Sequence, residues 1–217
     1  MTDYSAARTA MVDCQVRPSD VTRYPIIEAM LSIPRERFVP AAARDVAYVG
    51  EHIHFSPDRV LLDPRVMGKM LDAVAINSDE LVLDIGCGLG YSAAIIGWMA
   101  EAVIAIEEDP ALAEEAARNL AEQEVMNAVV EQGPLASGSA AHGPYDVIVI
   151  EGAVQSIPAA LESQLKDGGR IAAIFMDGQL GQCRVGRKTP NGISWRRVFD
   201  ATAPVLPGFA AEKAFEF

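Results

Sequence analysis

The chain has 217 residues, of which 50% are apolar and 22% charged, with a formal net charge of −12. This is enough apolar material for a sizeable core in one globular domain with at most an appended subdomain, and it excludes disordered, collagenous and coiled-coil chains. The acidic balance opposes nucleic acid and anionic membranes, so neither is expected as a partner.

The first fifteen residues include Asp3 and Asp13 and no uninterrupted apolar stretch, so they do not read as a secretory signal. Helical stretches are expected over Val21 to Leu31 and, behind an Asp63-Pro64 cap, over Val66 to Ala75, with an irregular segment from Pro34 to Leu62 between them. That segment contains Tyr48, His52, His54, Ser56 and Arg59, which are candidate substrate contacts if the loop faces a crevice and ordinary surface residues if it does not. Residues 1–79 are read as an N-terminal helical cover on the substrate side, and residues 80–217 as the cofactor-binding domain.

From residue 80 onward, compact apolar runs alternate with helical patterns. Glu80 to Ile85, Ala102 to Glu107, Asn127 to Glu131, Tyr145 to Ile150 and Arg170 to Phe175 each have the length of a buried parallel strand. Asp109-Pro110 caps a helix over Ala111 to Glu122, and Ser156-Ile-Pro158 opens another that Gly168-Gly169 would close. Gln182 to Arg187 and Ile193 to Phe199 flank Thr189-Pro-Asn-Gly192, where the Asn-Gly pair favours a hairpin. The expected fold is α/β: a Rossmann-like, doubly wound, mostly parallel sheet with an N-terminal helical cover and a C-terminal antiparallel hairpin. The longest apolar run, Ser92 to Ile106, is broken by Glu101 and falls short of the ~20 residues that span a bilayer. Trp98 and Met99, in the helical stretch after the first strand, are expected in the core.

The most informative segment is Val82 to Tyr91, in which a strand runs into Gly86, Gly88 and Gly90 and then a helix. A dinucleotide fingerprint needs its third glycine at position 91, which is Tyr91, and no Walker lysine follows. Asp84 at the head of the loop suits a ligand bearing an ammonium group, and Glu107, ending the next strand, can accept two hydrogen bonds from ribose hydroxyls. Together these point to S-adenosylmethionine, with S-adenosylhomocysteine as the product. Cys87 reads as a small residue against the ligand. Glu151, at the end of the fourth strand, is a solvated or cofactor-facing carboxylate, with a base as the alternative. Three separated cysteines and three scattered histidines imply neither disulfides nor a metal, and a reducing, cytoplasmic setting is the default.

Several segments in order resemble the protein-L-isoaspartate O-methyltransferase family over nearly the whole chain. They are Ile33-Pro-Arg-Glu-Arg-Phe-Val-Pro40 with Ala47-Tyr48, the loop Leu83 to Ser92, Gly143-Pro-Tyr-Asp-Val-Ile148, Ile157-Pro158 and Gln164-Leu-Lys-Asp-Gly-Gly-Arg170. The resemblance implies methyl transfer from S-adenosylmethionine to the α-carboxylate of isoaspartyl residues in damaged proteins, as a repair step. Two departures accompany it. Anchored on Pro64, the family's Thr-x-Ser-x-Pro segment falls on Val60-Leu61-Leu62-Asp63-Pro64, so both hydroxyl positions are apolar. The family's Gly-Asp-Gly, whose acid contacts adenine, falls on Gly133-Pro134-Leu135, and proline offers neither a carboxylate nor an N–H.

Pro134 and Leu135 therefore stand at the adenine position, and His54, Arg59 or Arg65 would replace the missing hydroxyls as anion contacts. Asp63 is expected to cap its helix, with a catalytic role as the alternative. The competing readings are a carboxyl methyltransferase of isoaspartyl protein, a diverged member that binds the cofactor or its product in a regulatory role, and a methyltransferase for another acceptor.

Overall fold

The computed structural model describes residues 3–211. Helices α1 (Tyr4–Met11) and α2 (Tyr24–Ser32) form the cover, joined by a π-helical turn over Val12–Val16. A small antiparallel pair follows, β1 (Ile53–Ser56) and β2 (Arg59–Leu61), and then α3 (Pro64–Val74). The remainder alternates: β3 (Leu81–Ile85), α4 (Tyr91–Gly97), β4 (Ala102–Glu107), α5 (Pro110–Glu122), β5 (Ala128–Gln132), β6 (Tyr145–Val154), α6 (Ala159–Gln164) and β7 (Leu165–Asp177). It ends in the meander β8 (Leu180–Thr189) and β9 (Gly192–Asp200).

The main sheet has seven strands in the order β5-β4-β3-β6-β7-β8-β9. The first five are parallel, and β8 and β9 are added antiparallel, each to its neighbour. Adjacent residues of the central strands point to opposite faces, and each face has its own core. Val82, Val103, Val147 and Ala172 pack with the helices of the cover. Leu83, Ile104, Ile148 and Ile171 pack on the other side with Leu161, Leu206 and Phe209. Burial on both faces is why these strands read as unbroken apolar runs. The chain winds outward from β3 in one direction and from β6 in the other, which leaves a crevice at the carboxyl ends of those two strands.

The caps form as the sequence dictates. Asp63 accepts from the Val66 N–H at 2.9 Å ahead of Pro64, and Asp109 accepts from the Ala111 and Leu112 N–H groups ahead of Pro110. Asp109→Ala is expected to cost about 1 kcal/mol and roughly 2–4 °C in thermal midpoint, measured by circular dichroism; an unchanged midpoint would show that Pro110 alone fixes this helix start.

Four expectations are corrected. Helix α6 ends at Gln164, not at Gly168-Gly169; those glycines lie inside β7, where the register with β6 jumps between Tyr145 and Val147 and Gly168 takes a φ of +78°. The segment from Pro34 to Leu62 is not irregular throughout, since it holds two 3-10 turns and the β1–β2 pair. Helix α1 has no counterpart in the sequence reading. Trp98 is 47% exposed, with its indole N–H 3.4 Å from Glu28, while Met99 is buried.

Candidate functional site

The glycine loop leaves β3 with Gly86, Gly88 and Gly90 all at positive φ (+82°, +57° and +96°), a path that side chains with a Cβ rarely follow. Asp84 lies below it, fully buried, with Oδ2 accepting from Ser92 Oγ at 2.7 Å and Oδ1 without a partner. Glu151 on β6 is 3% exposed, and neither of its carboxylate oxygens has a partner. Burial pushes both carboxyl groups up, Asp84 to about 7 with repulsion from Glu107 added, and Glu151 with repulsion from Asp84 added. Cys87 is buried in the same cluster and its thiol is pushed up by desolvation, which holds it neutral and suits the small-residue reading.

Glu107 closes β4 and is fully buried. Its Oε1 accepts from the backbone N–H groups of Glu108 (2.9 Å) and Asp109 (3.1 Å), and its Oε2 from Gly88 N–H (2.8 Å). The guanidinium of Arg59 completes the set, with Nη1 on Oε1 at 3.0 Å and Nη2 on Oε2. The expected ribose ligand and one expected anion contact are thus each other's partners.

The pair β1–β2 brings Arg59 there and also lays Phe55 on the glycine loop, so closely that a Cβ on Gly88 would collide with the ring. Leu206 covers Gly86 and Gly152 from the other side, on a C-terminal segment fixed by the hydrogen bonds Ala153 N–H to Pro204 O and Leu206 N–H to Ala153 O, both 2.9 Å. Beside Glu107 a cavity of about 300 Å³ remains, walled by Phe55, Asp58, Arg59, Glu108 and Pro207.

The other expected residues scatter. His54 is exposed on β1. Val60 and Leu62 are 2% and 1% exposed and belong to the core shared with the cover. Pro134 is exposed at the start of a 3-10 turn beyond β5, and Leu135 is buried in the core on the sheet face opposite the cover. The peptide at Gly133 donates to Glu107 O at 3.0 Å, so this stretch does border the crevice.

Asp63 caps α3 and lies 3.8 Å from the exposed guanidinium of Arg65. Both line a cleft of about 700 Å³ with His52, Gln182, Arg197 and Thr202, between the cover and the β7–β8 turn. Sequence reasoning missed Phe55, Leu206 and Ser92. Only Ser92 left a signal, since it stands in the first turn of the helix after the loop, eight residues past Asp84. Among the described residues no cluster of three or more His, Cys, Asp or Glu side chains could hold a metal ion, and no helix is long and apolar enough to cross a membrane.

The family model for Protein-L-isoaspartate(D-aspartate) O-methyltransferase matches residues 7–193. Protein-L-isoaspartate O-methyltransferase 1 of Rhodopseudomonas palustris (strain HaA2) is 35% identical over 170 residues, covering 78% of this chain and 69% of its own length. The Protein-L-isoaspartate O-methyltransferase of Koribacter versatilis (strain Ellin345) is 33% identical over 208 residues, covering 96% and 94%. A solved protein-L-isoaspartate O-methyltransferase superposes with a TM-score of 0.80 at 22% identity, over 93% of this chain and 66% of that one. A beta-aspartate methyltransferase from Plasmodium falciparum, crystallised with S-adenosyl-L-homocysteine, superposes with a TM-score of 0.77 at 15% identity, over 95% and 99%. These two superpositions bear on the fold: a mostly parallel seven-stranded sheet with antiparallel strands at its C-terminal end.

Proposed function

The chain belongs to the protein-L-isoaspartate(D-aspartate) O-methyltransferase family, and from that premise we propose that it methylates a carboxylate of isoaspartyl residues in damaged proteins, using S-adenosylmethionine. The observation that carries the cofactor half is the buried carboxyl pair at the switch point of the sheet, Asp84 and Glu151, with three oxygens lacking any partner. Buried acids in that state are costly, and a cationic ligand that also donates hydrogen bonds relieves them. The residues therefore fit the cofactor's ammonium and sulfonium end, the glycine loop fits close approach of its backbone, and Glu107 fits a ribose once Arg59 withdraws.

When bound, the cofactor supplies a methyl group made electrophilic by its sulfonium. An acceptor carboxylate is already ionised at neutral pH, so no strong base is needed. What the chain must provide is alignment of the acceptor oxygen and exclusion of water, and such positioning can contribute about 7–11 kcal/mol.

Leu206 and Phe55 supply apolar cover over the loop. The large cleft is the acceptor side of this reading, and Arg65 is its guanidinium for the acceptor carboxylate, exposed and only loosely held by Asp63. The acid at the adenine position is replaced by Pro134, which on this reading weakens cofactor affinity without abolishing it.

The test is methyl transfer from labelled S-adenosylmethionine to an isoaspartyl peptide, with its normal aspartyl twin as the control acceptor. Label confined to the isoaspartyl peptide is the expected result. No transfer at saturating cofactor, in protein verified to bind it, would leave the regulatory or alternative-acceptor readings. Val60→Thr with Leu62→Ser then asks whether the hydroxyls matter: both positions are in the core, so the expected gain in activity is small, under about tenfold, with a loss of about 1–3 kcal/mol in stability.

A further inference from the structure

The cofactor crevice already contains an occupant that the chain itself provides. Five donors converge on the Glu107 carboxylate: two from Arg59 and three from the peptides of Gly88, Glu108 and Asp109. A carboxylate offers about four lone-pair sites, so this one is full and has no room for ribose hydroxyls. Arg59 is 5% exposed, and an added Cβ on Gly86 would lie 3.5 Å from its Nη2. Phe55, from the same hairpin, fills the space above Gly88. A ligand laid across the loop with its ribose on Glu107 and the hairpin in this position therefore exclude each other.

The crevice also tolerates the exchange of one cation for another. Asp84, Glu107 and Glu151 are three buried carboxyl groups, and Arg59 is the basic side chain paired among them. Its Nε has no partner, so the guanidinium is held by Glu107 alone and not by a wider network on its own strand.

We infer that Arg59 sets the affinity of this protein for its methyl donor, acting as an internal competitor for Glu107 that the cofactor must displace, together with Phe55 and the hairpin Ile53–Leu61. The inference rests on the cofactor reading above. The apparent dissociation constant is raised by the reciprocal of the fraction of molecules with the hairpin open.

The probe is S-adenosylhomocysteine, used on the whole chain, with calorimetry and amide hydrogen exchange as readouts that need no turnover. In the wild-type protein its addition is expected to speed exchange of the amides in residues 53–61. Arg59→Gln is expected to bind it about 10–100-fold more tightly, as for an open state populated at 1–10%, with Arg59→Lys in between. Should Arg59→Gln fold poorly, Phe55→Ala and the wild-type exchange experiment carry the test, Phe55→Ala also binding more tightly. Unchanged or slower exchange in the hairpin of ligand-saturated protein would overturn the inference while leaving the cofactor reading intact, as would equal or weaker binding by a stably folded Arg59→Gln. Absence of binding by wild type and both variants would sink the cofactor reading itself.

Discussion

Arg35→Ala is expected to lower stability by about 2–5 kcal/mol and the thermal midpoint by roughly 5–15 °C. Arg35 is fully buried and forms no direct ion pair among the described residues; burial pushes its pKa down, against the attraction of Asp63 at longer range. Its Nε donates to Ala47 O and its Nη2 to Leu62 O, both at 2.8 Å, and the guanidinium lies 4.9 Å from the centre of the Tyr91 ring. Removing it leaves two buried carbonyls without donors and a void where the stem packed. Relief from desolvating a cation offsets only part of that loss.

Arg35→Met separates the contributions, because it restores the stem but not the donors, and should recover about half. A midpoint within about 1 °C of wild type for Arg35→Ala would mean that the two carbonyls find other donors. The position matters for the site because Leu62 directly precedes the Asp63 cap, so Arg35 ties the cover to the strand that delivers Arg59.

The second large effect depends on pH. Asp84 holds its proton in the folded protein up to about 7 because burial, with repulsion from Glu107, outweighs the Ser92 hydrogen bond and the attraction of Arg59. An unfolded chain releases that proton near the ordinary 3.8. Since the folded value is the higher one, the stability linked to the proton is complete below about 4 and is lost as the pH rises through about 7.

Asp84→Asn carries no charge to bury. It is expected to match wild type near pH 4 and to exceed it by about 2–4 kcal/mol at pH 8 in urea unfolding. Glu151→Gln should act in the same direction, since its carboxyl is also pushed up by burial. Parallel wild-type and Asp84→Asn stability curves from pH 4 to pH 8 would contradict a buried, proton-holding Asp84. The asparagine should also weaken cofactor binding, because a stable crevice and one primed for a cation are opposing demands on the same carboxyl.

The parallel core of the fold was legible because its central strands β3, β4, β6 and β7 are buried on both faces over their apolar runs, whereas the edge strand β5 is half exposed and was legible only from its Val129-Val130 pair, and because Asp63-Pro64 and Asp109-Pro110 mark helix starts by local chemistry alone. Helix α6 was overextended for the opposite reason. Gly168-Gly169 has the composition of a helix stop, and only the pairing of β7 with β6 turns it into a register jump inside a strand. The small hairpin was missed because its four- and three-residue strands pair only with each other and mix polar with apolar residues.

At the site, Asp84, Glu107 and the glycines were readable from one continuous stretch. The partnership of Glu107 with Arg59 was not, since it joins positions 48 residues apart and each side chain taken alone suggests a different ligand. Leu206 lies between Pro204 and Pro207 in a segment with no periodicity, and only the bridge of its neighbour Val205 with Ala153, together with its own N–H on Ala153 O, gives it a place over the crevice.

Among the described residues no strand pairs with the outer flank of β9, whose peptide groups could template a strand from a neighbouring molecule. Arg196 and Arg197 sit side by side on that strand, on opposite faces, with Arg196 reaching Ala73 O and Arg197 clasping Asp200. A strand arriving from another copy would have to strip water from a guanidinium whichever face it favoured. Beta-mediated polymerisation from this flank is therefore opposed by charge on both faces, and this edge of the sheet resists pairing through its own side chains.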